Sequence, residues 1–336
     1  MRPLVLFLYR QLFAAKRSQQ LRGFTLLELL ISLVISSIVI ASLLFGVVQL
    51  TTIEKRESNL DQVQRDMNRA MKYITNDLQE AVYVYPNPQQ IATQIAGDTS
   101  FPGNAGEVPV LAFWRIDPIE DGLPDCSTMT GAVLLQCQQL VVRQAAYTLV
   151  VYVQKTNDNS NRNWSGQSRI IRYELSKYRD TIPADLSFRP GYRDPTDPTD
   201  ALAQFNTWQP SGTPEGFSAV LVDYVQNPTP PVALNRSPLN DGGGACNGYG
   251  QDASNNPLYT VSPPTATTTI NNSFFACVRN PLIGGANQGS QDVYVFLRGN
   301  VQSISGGVRG YSEETSLPIL ETRVLVRGVI NKGFNQ

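Results

Sequence analysis

The stretch Arg22-Gly23-Phe24-Thr25-Leu26-Leu27-Glu28, with the apolar run that follows it to Leu50, decides how the rest of the chain is read. Before the Gly–Phe junction lie Arg2, Arg10, Lys16, Arg17 and Arg22, with no acidic residue among them. Beyond it, Glu28 is the one charge between Phe24 and Leu50. A hydrocarbon core about 30 Å thick takes roughly 20 helical residues, so this run is long enough to span a bilayer. The basic residues precede it and the next one is Lys55, which places the N-terminus in the cytoplasm and the remaining chain on the outer side. A secretory signal is cut after a short apolar stretch, behind small residues. Here the junction precedes the apolar stretch, and cutting there leaves the hydrophobic helix on the mature chain.

Gly23-Phe24-Thr25-Leu26-Leu27-Glu28 resembles the prepilin motif of type IV pilins and type II secretion pseudopilins. The resemblance implies a membrane prepilin peptidase that cuts after Gly23 and methylates the new amine of Phe24. It also implies that Glu28 serves assembly with other pilin or pseudopilin subunits on an inner-membrane platform. Physically, a carboxylate inside a membrane helix is costly unless paired. Cleavage creates a cation at Phe24, four residues away and on the same helical face. Glu28 could neutralise its own amine or that of the next subunit, where a buried pair would set axial register. It could also reach back to the headgroups, within a turn or so of the boundary.

Past Leu50 the pattern turns amphipathic. Leu60, Val63, Met67, Met71, Ile74, Leu78 and Val82 recur every three or four residues and form one stripe. The sequence therefore predicts four segments: a leader at 1–23, an anchoring and assembly helix at 24–50, an amphipathic helix at 51–85 stopped by Pro86 and Pro88, and a β-rich head at 86–336. The stripe is expected against the head, with a coiled coil to another subunit as the alternative. No proline interrupts the long helix, and Gly46 is its one strong helix-weakening residue.

In the head the periodicity shifts toward two. Residues 108–116, 140–154, 169–177, 220–225, 291–298 and 321–330 read as strands. Tyr147–Lys155 and Arg169–Lys177 flank an Asn/Ser-rich loop, as a hairpin would. The expected fold is α+β and pilin-like: a long N-terminal helix packed on an antiparallel sheet, with long loops at 86–106, 179–216 and 227–272. Loops of that length are usually functional or disordered. Asp194, Asp197 and Asp200 lie three residues apart, but without a recognised calcium-loop spacing they read as a solvated acidic loop. Tyr83, Tyr85, Trp114 and Trp164 could form platforms for a sugar, with core packing the alternative role.

Composition narrows the function. The chain has 336 residues, a net charge of −1 and no histidine. That excludes His-dependent triads and imidazole metal sites, and it gives no electrostatic footprint for nucleic acid. Neither a nucleophile motif nor paired acids in a recognisable setting points to an enzyme, and no cofactor is expected. Cys126, Cys137, Cys246 and Cys277 lack a C-x-x-C arrangement. In an exported domain they are candidates for disulfides, with three pairings open and nearest-neighbour pairing favoured; reduced, buried cysteines are the alternative.

The anchor together with the helix Arg65–Tyr85 resembles the larger minor pilins, PilW-like or J-subunit-like. The long basic leader is also similar to that of the hormogonium polysaccharide secretion pseudopilins of filamentous cyanobacteria. The resemblance implies a minor, tip-proximal subunit of a pilus or pseudopilus. Such a subunit would be held single-pass in the inner membrane with its head periplasmic, and displayed on a pilus or the cell surface after assembly. It would serve motility, adhesion, or protein or polysaccharide secretion, with prepilin peptidase, other subunits, membrane lipid and a polysaccharide as partners. The alternative is a membrane-anchored glycan-binding or adhesin module delivered by the same pathway.

Overall fold

The computed structural model describes residues 24–103, 107–119, 122–158, 163–179, 182–197, 200, 202–227, 246–252, 254–264, 273–280, 291–301 and 319–327. Two compact units divide the chain, 1–55 and 56–336. In the first, the described residues are the start of helix α1 (Leu26–Gln79), and every apolar side chain there is exposed.

The second unit begins with the amphipathic part of α1, where burial follows the stripe. Val63, Met67, Ala70, Met71, Ile74 and Leu78 are buried, Ile74 and Leu78 completely. The helix stops at Gln79 and not near residue 85, because Ala81–Val84 leaves it as strand β1. All four of these residues are buried, and Val82, Tyr83 and Val84 are β-branched or aromatic types that suit a strand covered on both faces. Asn87 then caps helix α2 (Pro88–Ile95), its side chain accepting from the Gln89 amide at 3.2 Å. Pro88 stands in the first turn, where its missing N–H costs nothing. It opens a new helix as well as barring the old one.

Strand β2 (Glu107–Pro118) runs antiparallel to β1. Next come a 3-10 turn (Cys126–Thr128), helix α3 (Gly131–Arg143), and strands β3 (Ala145–Thr156), β4 (Ser168–Ser176) and β5 (Phe217–Val225). The strand expected from residue 140 starts five residues later. Leu140–Arg143 is the last turn of α3, which closes on Gln144 in the left-handed region (φ 49°), its amide bonded to the Leu140 carbonyl at 2.8 Å. The β3–β4 hairpin is present, with Val151 opposite Tyr173 and Val153 opposite Ile171. Five strands form one antiparallel sheet in chain order.

Period-two alternation gives that sheet two buried faces. Phe113, Val150, Tyr152, Ile170 and Val222 join the α1 stripe in one core. Trp114, Leu149, Val151, Tyr173 and Leu175 face the other way, covered by Ile91 and Ile95 of α2 and by Tyr192, Phe205 and Trp208. The long stretch 179–216 therefore supplies a cover for the back of the sheet.

Strands β6 (Tyr259–Ser262), β7 (Phe274–Arg279), β8 (Asp292–Leu297) and β9 (Leu320–Leu325) make a second antiparallel sheet. Its Phe274, Ala276, Val278, Val293, Val295, Leu297 and Val324 complete the same core as the α1 stripe. The α+β class holds, with two sheets in the head where one was expected. Buried glutamines join them. Gln291 donates to the Val84 carbonyl (2.9 Å) and accepts from the Val84 amide (3.0 Å). Gln154 donates to Ser168, to the Gln226 carbonyl and to Ser273, all within 2.9 Å. Disulfides link Cys126 to Cys137 and Cys246 to Cys277. The first ties the 3-10 turn to α3, and the second ties residue 246 to β7.

Candidate functional site

The start of α1 is built by its own first residues. Thr25 precedes the helix, and its Oγ1 accepts from the Glu28 amide at 3.3 Å while its carbonyl accepts from the same amide at 3.0 Å. Thr-x-x-Glu is the capping-box pattern, so Thr25 satisfies a donor that the first turn leaves open. That role is readable from the sequence by this spacing. Phe24 and Glu28 both lie exposed at this end. Gly23 and the rest of the leader lie outside the described residues.

The surface that follows is apolar on every side. Leu26 is 82% exposed, and Leu33, Ile38, Leu43, Phe45 and Leu50 are exposed around the helix. Its hydroxyls do not break this character. Ser32, Ser36 and Ser37 donate to the carbonyls of Leu29, Ser32 and Val34 at 2.7–2.9 Å, and Thr51 and Thr52 both donate to Val48. A helix satisfies its backbone internally, and these side chains return their protons to it, which leaves Ser42 and Gln49 as the exposed polar side chains along the segment. Among the described residues, α1 is the helix long and apolar enough to cross a membrane. Glu28, one turn from its start, is the charged exception to this surface, beside the polar Ser42 and Gln49.

The head end of α1 is held differently. Asp77, only 5% exposed, accepts from Arg115 of β2 (2.6 Å), Tyr152 of β3 (2.6 Å) and Arg172 of β4 (2.8 Å). One carboxylate thus fixes the helix to three adjacent strands. Burial would lower the pKa of Arg172, but Asp77 and Glu174 outweigh it and hold that guanidinium above its ordinary range. Burial, then the Asp77 charge, pushes Tyr152 well above the ordinary phenol value. The sequence reading missed Asp77. Its place beside Leu78 on the stripe was the available signal, and its partners lie 38 to 95 residues away.

The aromatic residues considered as sugar platforms separate. Tyr83, Tyr85 and Trp114 are buried in the core behind the sheet, with Trp114 donating to the Tyr85 hydroxyl at 2.9 Å. Trp164 is half-buried, with the Arg169 guanidinium 5.2 Å from its ring. In the acidic loop, Asp194 pairs with Lys177 at 2.7 Å and Asp200 pairs with Arg193, so these carboxylates are engaged separately.

No curated protein and no solved structure matches the chain. Residues 21–44 match the prokaryotic N-terminal methylation motif. That segment contains the Gly23–Phe24 junction, the Thr25 cap, Glu28 and the exposed apolar helix. The match supports a substrate of the prepilin pathway with a type IV pilin-like anchor.

Proposed function

We propose that the chain is a minor subunit of a type IV pilus or a type II-like secretion pseudopilus. Prepilin peptidase cuts it after Gly23 and methylates Phe24. The helix from Phe24 to Leu50 first anchors the subunit in the inner membrane, with the basic leader cytoplasmic and the head outside, and then packs with the helices of other subunits. Glu28 pairs with the amine of a neighbouring Phe24, and because a buried unpaired charge costs about 3–5 kcal/mol, that pair selects the axial register. The observation that carries this reading is the fully exposed apolar helix headed by Thr25 and Glu28, in a chain whose other long apolar stripe is buried.

The head is a non-catalytic module in this reading. Its size and double-sheet build favour a minor position over a repeating shaft, in a machine for motility, adhesion or secretion. The test is intact mass and N-terminal sequencing of the chain from cells with and without prepilin peptidase. The expected mature chain starts at N-methylated Phe24 and is absent without the enzyme. A mature chain with another N-terminus, or the same product without the peptidase, overturns the proposal.

A further inference from the structure

A cleft of about 980 Å³ opens in the head where the C-terminal end of β4 meets the start of β5. Its floor is fixed by Asp98, 5% exposed, which accepts from the Tyr173 hydroxyl (2.7 Å), the Ser100 amide (2.7 Å) and the Gly216 amide. A Cβ on residue 216 would stand 2.3 Å from the Tyr173 ring, so only glycine lets the backbone lie on that floor.

Five ionisable acidic and basic side chains line the cleft, and four are already engaged. Asp98 is held as above, Glu174 pairs with Arg172, and Glu215 pairs with Arg179. Arg189 is the fifth. Among the described residues its guanidinium has no ion pair, and its Nε is shut off from solvent without an acceptor. The Nε is out of a ligand's reach, so the contact falls to the terminal nitrogens, whose planar pair a carboxylate matches. The rest of the wall is rich in hydroxyls, at Thr99, Ser100, Ser176 and Thr213, and Phe217 on the rim is 58% exposed. An open groove with hydroxyl partners and one exposed ring suits a flat polyhydroxylated ligand. Peptide side chains would want apolar pockets, and the wall supplies little for them.

The geometry points to a saccharide-binding cleft selective for carboxylated sugars, with Arg189 holding the carboxylate and Phe217 supporting a sugar ring. This site does not include Tyr83, Tyr85 or Trp114, and it does not depend on how the N-terminus is processed.

The test is calorimetric titration of the full chain in detergent with trigalacturonate, its methyl-esterified form, and tetraglutamate as an acidic peptide. Trigalacturonate is expected to bind, and the ester to bind about tenfold or more weaker, as loss of a charge-assisted contact requires. Arg189→Gln should weaken trigalacturonate by about the same factor, with Arg189→Lys in between because the charge stays and the fork is lost. Phe217→Ala, an exposed position that folding does not need, should weaken both the acid and the ester severalfold. No binding of trigalacturonate, equal binding of acid and ester, or unchanged affinity in folded Arg189→Lys or Arg189→Gln overturns the assignment. Equal affinity for tetraglutamate overturns the sugar selectivity, leaving a carboxylate site for peptides.

Discussion

Replacing Asp77 by alanine removes the single carboxylate that α1 presents to β2, β3 and β4. Removing one partner of a buried ion pair costs about 3–5 kcal/mol, because the opposite charge stays buried and uncompensated. Two features temper that figure here. Arg115 keeps Asp117 at 2.7 Å and Arg172 keeps Glu174, while the two guanidiniums are 18% and 11% exposed. The Tyr152 hydroxyl, by contrast, loses its acceptor in a fully buried position, which adds about 1–3 kcal/mol. The expected loss is therefore near the lower end of the ion-pair range, about 3 kcal/mol. The assay is urea unfolding of residues 56–336, followed by tryptophan fluorescence, to which the buried Trp114 and Trp208 contribute. Asp61→Ala is the control, since its pair with Arg65 is 3.7 Å long and more than half exposed on both sides, and such pairs contribute about 0–1 kcal/mol. Replacing Asp77, Arg115 and Arg172 together by apolar residues should recover part of the loss, because the carboxylates it leaves unpaired, Asp117 and Glu174, are 29% and 30% exposed and reach water. If Asp77→Ala costs no more than Asp61→Ala, the carboxylate does not hold the helix to the sheet.

Glu28→Leu should leave membrane insertion and the start at Phe24 intact while abolishing crosslinks to partner subunits; crosslinking at the parental level would remove Glu28 from assembly. Cys246→Ser with Cys277→Ser opens a loop whose ends lie 31 residues apart, and a loss of about 2–4 kcal/mol in head stability is expected, read by the same urea titration. A loss under about 1 kcal/mol would mean the bridge does little to hold residue 246 against β7. Burial pushes Tyr83 from the ordinary phenol value up to about 12, so folding favours its neutral form. The stability this gives is complete below pH ~10 and is lost as pH rises toward 12. Tyr83→Phe should therefore flatten the fall in stability across that window, and an unchanged alkaline profile would show that Tyr83 does not titrate with unfolding.

Local signals carried the parts of this molecule that were readable in advance. The α1 stripe from Val63 to Leu78 and the alternation through β4 are short-range patterns, and packing followed both. The Gly23–Glu28 motif is equally local, and so is the Thr25 cap. Where the reading slipped, short apolar runs fitted two periods. Val82 continues the helical spacing of Leu78 yet belongs to β1, and Leu140–Val142 abuts β3 yet closes a helix. Strand β6 falls inside the 227–272 stretch that reads as loop, and β7 has no strand reading, because few residues separate them from segments rich in Pro, Thr and Asn. The division into two sheets and the Asp77 centre depend on contacts between distant residues, such as Gln291 with Val84 across 207 positions. No periodicity within one segment encodes such a pairing. Arg189 was illegible for the same reason: an arginine without a partner can be recognised only when its neighbours are known.

The inward-turned hydroxyls of the anchor have a thermodynamic consequence. Lipid tails and leucine-rich helices are nearly equivalent solvents for a helix that turns most of its hydroxyls back onto its own backbone. Transfer of Leu26–Leu50 from one to the other breaks none of these hydroxyl–carbonyl bonds and changes little apolar hydration. In the proposed assembly, the direction of transfer is then set by the polar groups that remain, Glu28 with Ser42 and Gln49, together with whatever work is applied from outside. A segment poised this way can leave the bilayer and return to it without unfolding.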